Sequence, residues 1–259
     1  MRDVSFGQYY PSNSFVHKCD PRTKILFLIF YIVAIFFATN FYALGTCAFV
    51  FLVVAICSSV PLKSMLRSVK AILFLLLFTT LLTLFFSDGT WKTRIYTSAF
   101  LAIRLFLLVL GSSVLTLTTT PVALTNGIES LLNPLKKIGF PVHELALIMS
   151  IALRFIPILT DETSRIMNAQ KARGADFETG GLIQRMKAIV PILIPLLISA
   201  FRRADELGDA MDARCYAGSK VRTKYKRLHY AWRDGIAFGV ILLLLSGIIV
   251  LRVYTVALI

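Results

Sequence analysis

Residues 71–86 read AILFLLLFTTLLTLFF, sixteen positions without a charge, a proline or a glycine. An amphipathic helix of a soluble protein carries a charged face, and this one offers only threonines, so it suits hydrocarbon on every side. Working outward, Lys63, Arg67 and Lys70 precede the run and the turn signal Asp88-Gly89 follows it. Ile25 to about Ala38, Tyr42 to Val60, Ile95 to Leu117 and Ile236 to about Val256 have the same apolar character. The break at Thr39-Asn40 leaves room only for a tight hairpin. With 57% hydrophobic residues, 20 Phe and a mean hydropathy of +0.75, the chain is too apolar for a soluble domain. The expected fold class is all-α, a polytopic membrane protein of about five transmembrane helices plus long amphipathic coupling helices.

A net charge of +14 raises the question of nucleic acid, and the placement of the charge answers it. With the N-terminus inside, residues 1–24, 61–70 and 120–235 hold 24 of the 28 Lys and Arg. The positive-inside rule therefore puts these segments in the cytoplasm of a multi-pass cell-membrane protein. The basic run Lys220, Arg222, Lys224, Lys226 and Arg227 precedes the last span, where anionic lipid is a sufficient partner and no nucleic acid is required. Asp20 is a good N-cap with Pro21 as first helical residue, so the first span is read as a retained helix rather than a signal peptide. Arg104 interrupts the fourth span and reads either as a transport-path residue or as a side chain that snorkels or pairs in the bundle.

Between residues 120 and 235 the apolar runs shorten. Leu145–Leu159 and Ala188–Phe201 hold about 14 or 15 residues against the roughly 20 that cross a bilayer, which suggests tilted or interfacial segments. Each continues into charged helix, with intrahelical pairs expected at Asp161–Arg165 and Arg202–Glu206. Helical throughout, residues 142–173 would be about 48 Å long. The expected division is thus 1–119 for the first four spans, 120–235 for the cytoplasmic coupling region and 236–259 for the last span.

That region contains a repeat. Asn168-Ala169-Gln170-Lys171-Ala172-Arg173-Gly174 returns 41 residues later as Asp209-Ala210-Met211-Asp212-Ala213-Arg214-Cys215. Ala169 with Ala172, and Ala210 with Ala213, put small side chains on one helical face, which favours a close helix crossing at Ala169 and Ala210. Gly174 and Gly218 read as the helix stops. Arg173 and Arg214 present rigid guanidinium forks suited to a carboxylate of another chain, whereas a single arginine there is ordinarily explained by the helix dipole.

Gly7-Gln8-Tyr9-Tyr10-Pro11, Asp20-Pro21-Arg22-Thr23-Lys24, the spans and the Ala-Arg-Gly and Ala-Arg-Cys tripeptides together resemble the transmembrane coupling subunit family of energy-coupling factor importers, a branch of the ABC transporters. The resemblance covers nearly the whole chain. It implies a non-catalytic subunit that joins two cytoplasmic ABC ATPases to a small membrane S-component for uptake of vitamins or other micronutrients. It further implies that Ala172-Arg173-Gly174 and Ala213-Arg214-Cys215 dock the ATPases, and that ATP and Mg are bound by those partners. The chain itself has no Gly-x-x-x-x-Gly-Lys-[Ser/Thr], so no cofactor is expected in it. His17, His143, His229 and the four Cys have no metal-like spacing. Two alternatives remain at this level. One is a stand-alone secondary transporter. The other is a membrane CDP-alcohol-type transferase using Asp205, Glu206, Asp209 and Asp212, although Asp234 is the next carboxylate and no second aspartate set follows.

Overall fold

Asp20 starts the first helix by local chemistry. In the computed structural model, which describes residues 9–175, 181–216, 218 and 228–257, its carboxylate accepts the Arg22 amide at 2.9 Å and Pro21 follows as the first helical residue. The helix it opens, α1, covers Pro21–Phe37, and α2 (Phe41–Ser58) returns after the short break at Thr39-Asn40. Then come α3 (Leu62–Phe86) and α4 (Trp91–Thr118). A short helix α5 (Pro121–Leu132) and a 3-10 segment (Asn133–Ile138) lead to the 31-residue helices α6 (Val142–Ala172) and α7 (Leu182–Asp212), and α8 (Trp232–Ala257) closes the chain. No strand occurs among the described residues, so the all-α expectation holds.

By length and composition, α2, α4, α6 and α8 can each cross a membrane, and α3 makes a fifth if Leu62–Lys70 and Ile72–Phe86, bent by 61°, act as one span. Two details differ from the sequence reading. Leu145–Leu159 looked too short to cross, but α6 runs unbroken through Pro157 and carries that apolar run within a helix long enough to span. Conversely α1, expected as the first span, has 17 residues, about 25 Å against a hydrocarbon core of about 30 Å. Local thinning of the bilayer accommodates such a shortfall.

The chain divides into two compact units, residues 1–133 with 226–259, and residues 134–225. In the first, α1 touches α2, α4, α5 and α8. Helix α5 therefore belongs by packing with α1, although residue 120 opens the expected coupling region. Its start repeats the grammar of α1: Thr120 caps it by accepting the Ala123 amide at 3.3 Å and Pro121 follows. The core gathers Tyr31, Ile35, Leu44, Phe51, Leu110 and Ile248 from α1, α2, α4 and α8. Close approach depends on two missing side chains. A Cβ at Gly111 of α4 would overlap the Tyr31 ring, and one at Gly127 of α5 would stand 3.0 Å from the Pro21 Cβ.

Arg104 is absorbed by this packing. Its Nη2 donates to the carbonyls of Ala38 and Phe36, at the end of α1, and its guanidinium lies 4.8 Å from the Phe100 ring centroid. These carbonyls have no onward helix to donate to them, and a fixed cation serves them well. Of the two readings of Arg104, pairing inside the bundle accounts for the geometry. Arg104→Met is expected to lower stability by about 1.5–3 kcal/mol, which thermal melting of the natural and substituted chains checks.

A second polar knot joins the other ends of these helices. Lys24 Nζ donates to the carbonyls of Thr118 (3.0 Å) and His17 (3.3 Å) and to the Thr119 hydroxyl (3.4 Å), closing the end of α4. The Tyr10 amide adds a bond to the Leu117 carbonyl at 2.9 Å. Asp234, 2% exposed, accepts the Asp20 amide on Oδ1 at 2.9 Å and the Ala231 amide on Oδ2 at 2.8 Å. The first turn of α8 is thereby tied to the first turn of α1. Arg22 lies 3.9 Å from Asp20 and 5.4 Å from the Tyr230 ring centroid, so every charge in the Asp20–Lys24 stretch is engaged.

His17 completes the knot through Nδ1, 2.7 Å from the Ser14 hydroxyl, and Nε2, 2.9 Å from the Tyr10 carbonyl. The neutral ring satisfies both, with Nε2–H donating to Tyr10 and Nδ1 accepting from Ser14. Burial pushes the His17 pKa below its ordinary value, and nearby Lys24 adds to the shift against the Tyr10 bond. A depressed histidine favours the fold only while neutral. Its contribution is complete above the unfolded value of about 6.5 and is lost as the pH falls from there through the lower folded value. Melting midpoints measured between pH 7.5 and pH 5.5 should fall less in His17→Gln than in the natural chain, a comparison made at about one unit on each side of 6.5.

Candidate functional site

The second unit ends its two long helices in the same way. At the end of α6 the Arg173 amide donates to the carbonyls of Ala169 and Gln170, the Gly174 amide to Lys171 (3.0 Å), and the Ala175 amide back to Gln170 (3.0 Å). Gly174 has φ +87°. This is a Schellman cap with Arg173 at the C-cap and glycine in the left-handed position. At the end of α7 the Cys215 amide donates to Asp212 (2.9 Å) and the Tyr216 amide to Met211 (3.1 Å), with Cys215 at φ +55°. The two closing bonds match those at the end of α6, and the two tripeptides lie at corresponding places in them.

Sequence placed the second stop at Gly218. The turn is made three residues earlier by Cys215, a side chain in a conformation that costs L-residues about 1–2 kcal/mol. Cys215→Gly should recover about 1 kcal/mol of that, visible as slower amide hydrogen exchange in the last turn of α7. Gly218 is also at positive φ, +73°, beyond the cap.

The caps present the candidate residues outward. Ala172, Arg173 and Gly174, like Ala213, Arg214 and Cys215, are all exposed. Among the described residues neither guanidinium has a hydrogen-bond or ion-pair partner. A helix C-terminus explains why a cation is tolerated there. It does not explain why the same residue is held at the same cap position twice, at the border of small side chains. What this arrangement offers chemically is two forks of N–H donors on rigid stems, each able to take a carboxylate bidentately.

The side-chain bonds between α6 and α7 lie elsewhere than the small residues. Glu162 of α6 accepts the Ser199 hydroxyl of α7 on Oε1 at 3.0 Å and Arg203 Nη2 on Oε2. Ala169 and Ala210, expected at a helix crossing, are exposed. Neither Asp161–Arg165 nor Arg202–Glu206 is among the ion pairs of the described residues. Glu162, Ser199 and Arg203 were not singled out by sequence as joining helices; the offset between Glu162 and Arg203 equals that of the repeat and was the available signal.

Other candidates lie outside this arrangement. Asp205, Glu206, Asp209 and Asp212 are exposed along α7, and no group of three or more His, Cys, Asp or Glu among the described residues is placed to hold a metal ion. Gly7 and Gln8, and the basic run from Lys220 to Arg227, lie outside the described residues.

The cobalt transport protein family CbiQ matches residues 12–225. The energy-coupling factor transporter transmembrane protein EcfT of Ruminiclostridium cellulolyticum is 44% identical over 262 residues, covering 97% of this chain and 98% of the relative. The protein of the same name from Clostridium kluyveri is 47% identical over 98% of each chain, and that from Bacillus subtilis 43% identical over 90% of this chain and 92% of its own length. The secondary-transporter and transferase readings draw no support from these relatives. With its apolar helices and near full-length likeness to transport components, this chain belongs to the family of energy-coupling factor transporter transmembrane proteins.

Proposed function

We propose that this protein couples two cytoplasmic ABC ATPases to a small substrate-binding membrane protein, the S-component, in an ATP-driven importer. The observation that carries the reading is the pair of matching Schellman caps, which hold Arg173 and Arg214 exposed and without partners among the described residues. Each arginine docks one ATPase by pairing with acidic side chains, with Ala172 and Gly174, or Ala213 and Cys215, leaving the space for a close approach. ATP and Mg are bound by those partners and none by this chain. The exposed apolar side chains of α7, among them Ile189, Leu193, Leu197 and Phe201, provide a face for the S-component. The distribution of Lys and Arg supports a cytoplasmic N-terminus and a cytoplasmic position for both caps, which makes α6, though long and apolar enough to span, a tilted or interfacial helix rather than a crossing one, and the exposed Ala169 and Ala210 flank the docking arginines.

The test is purification of the tagged chain at native expression in gentle detergent, with partners identified by mass spectrometry. Co-purification of Walker-motif ATPases and a small apolar membrane protein is expected. Recovery of the intact, folded chain alone would overturn the reading.

A further inference from the structure

The repeat extends into the charges of the two helices. At its 41-residue offset, four positions in the second halves of α6 and α7 carry opposite signs: Asp161 against Arg202, Glu162 against Arg203, Arg165 against Glu206, and Lys171 against Asp212. At Arg173 and Arg214 the signs agree. One of the inverted pairs is in contact, Glu162 with Arg203, at side-chain exposures of 27% and 35%. Ser199, one turn before Arg203 on the same face of α7, holds the other carboxylate oxygen at 3.0 Å.

This pattern discriminates between registers. Sliding α7 forward by one turn sets Glu162 against Glu206, and sliding α6 forward sets Arg203 against Arg165. Backward slips set Glu162 beside Ser199 without an arginine, or Arg203 beside Ile158. Every neighbouring register therefore meets a like charge or leaves a half-buried charge unpaired, the way polar and charged positions fix alignment in helix pairs. An apolar contact would slide with little penalty.

We infer that Glu162 and Arg203, assisted by Ser199, are positioning residues that lock α6 and α7 in one register. Arg173 stands eleven residues beyond Glu162, and Arg214 eleven beyond Arg203. Each cap is thus about 16 Å along its helix from the shared contact. The helices become two arms of equal length with complementary charge along them and the same charge at their tips. The functional meaning of equal arms rests on the coupling reading; the register itself is a property of this chain.

The experiment uses the full chain in lipid nanodiscs, with exposed Cys57 and Cys215 replaced by serine. Nitroxide labels go on Asn168→Cys and Asp209→Cys, exposed and at corresponding places in the repeat, and pulsed EPR reads the distance between them. A single narrow distribution is expected for the parent. It should broaden or split in Glu162→Gln and more so in Glu162→Arg, and become single again in the double reversal Glu162→Arg with Arg203→Glu. An unchanged distribution in Glu162→Arg, or a double reversal that stays as broad as the single variant in a chain of native helix content, overturns the inference. The outcome is independent of partner recovery: a failed lock leaves ATPase co-purification untouched, and failed co-purification leaves the measured distance untouched.

Discussion

Replacing Arg173 and Arg214 together by alanine will abolish ATP-driven uptake while leaving the chain folded in the membrane. Both side chains are exposed at helix ends, so truncation opens no cavity and leaves no buried group unpaired within the chain. The caps persist, because they are made by backbone amides and by the left-handed residues Gly174 and Cys215. On the proposed docking, what is lost is the arginine's half of a charged contact with the ATPase. Breaking such a pair from one side costs about 3–5 kcal/mol, which is about two to three and a half powers of ten in affinity at each ATPase. Single variants should weaken attachment of one ATPase and the double variant both. Lysine at both sites keeps the charge and loses the planar fork, so recovery should be poor. Uptake in proteoliposomes reconstituted with all partners measures this directly, and full activity in the double alanine chain would remove the arginines from the docking contact.

Asp234→Ala should be the most damaging single change to the fold itself. The carboxylate is buried and accepts two amides, one from Asp20 and one from Ala231. Alanine leaves the buried Asp20 amide without an acceptor, at about 1–3 kcal/mol, and strips the part-buried Ala231 amide of its partner as well, a large share of the 5–15 kcal/mol typical of a whole domain. Asn keeps one acceptor, and its loss should be about half as large. Melting of purified chains in nanodiscs separates the three cases, and equal midpoints for the natural, Asn and Ala forms would mean that the α1–α8 tie carries no stability.

The parts of this fold legible in sequence were those set by local chemistry. Asp20-Pro21 announced α1, uninterrupted apolar runs announced the bundle, and the spacing of two Ala-Arg pairs announced two equivalent helix ends. Thr120-Pro121 followed the same capping rule as Asp20-Pro21 and marked α5, yet its neighbours are too mixed in polarity to advertise a helix. Helices α6 and α7 run through Pro157, Pro191 and Pro195, as helices in or near a membrane do when the surroundings compensate the missing amide. Glycine is favoured at the left-handed cap position, so Gly218 was the natural choice, and the backbone placed Cys215 there instead. Small side chains at Ala169 and Ala210 show that a close approach is permitted, whereas the contact made by Glu162 with Ser199 and Arg203 depends on side-chain placement that spacing alone does not fix. Asp234 was beyond reach altogether, since its partner lies 214 residues away.

That separation has a kinetic meaning. Asp20 is made 214 residues before its acceptor, and its amide meets Asp234 only after α6, α7 and the start of α8 have been made. At a translation rate of about 5–20 residues per second, the 214 residues between them take about 10–40 s. During that interval α1 and α2, both of which pack on α8, sit in the bilayer with an uncovered side, available to insertase, chaperone or protease. Closure of the α1–α8 tie therefore follows the appearance of both arms, so a chain that stalls before α8 leaves α1 and α2 open on that side.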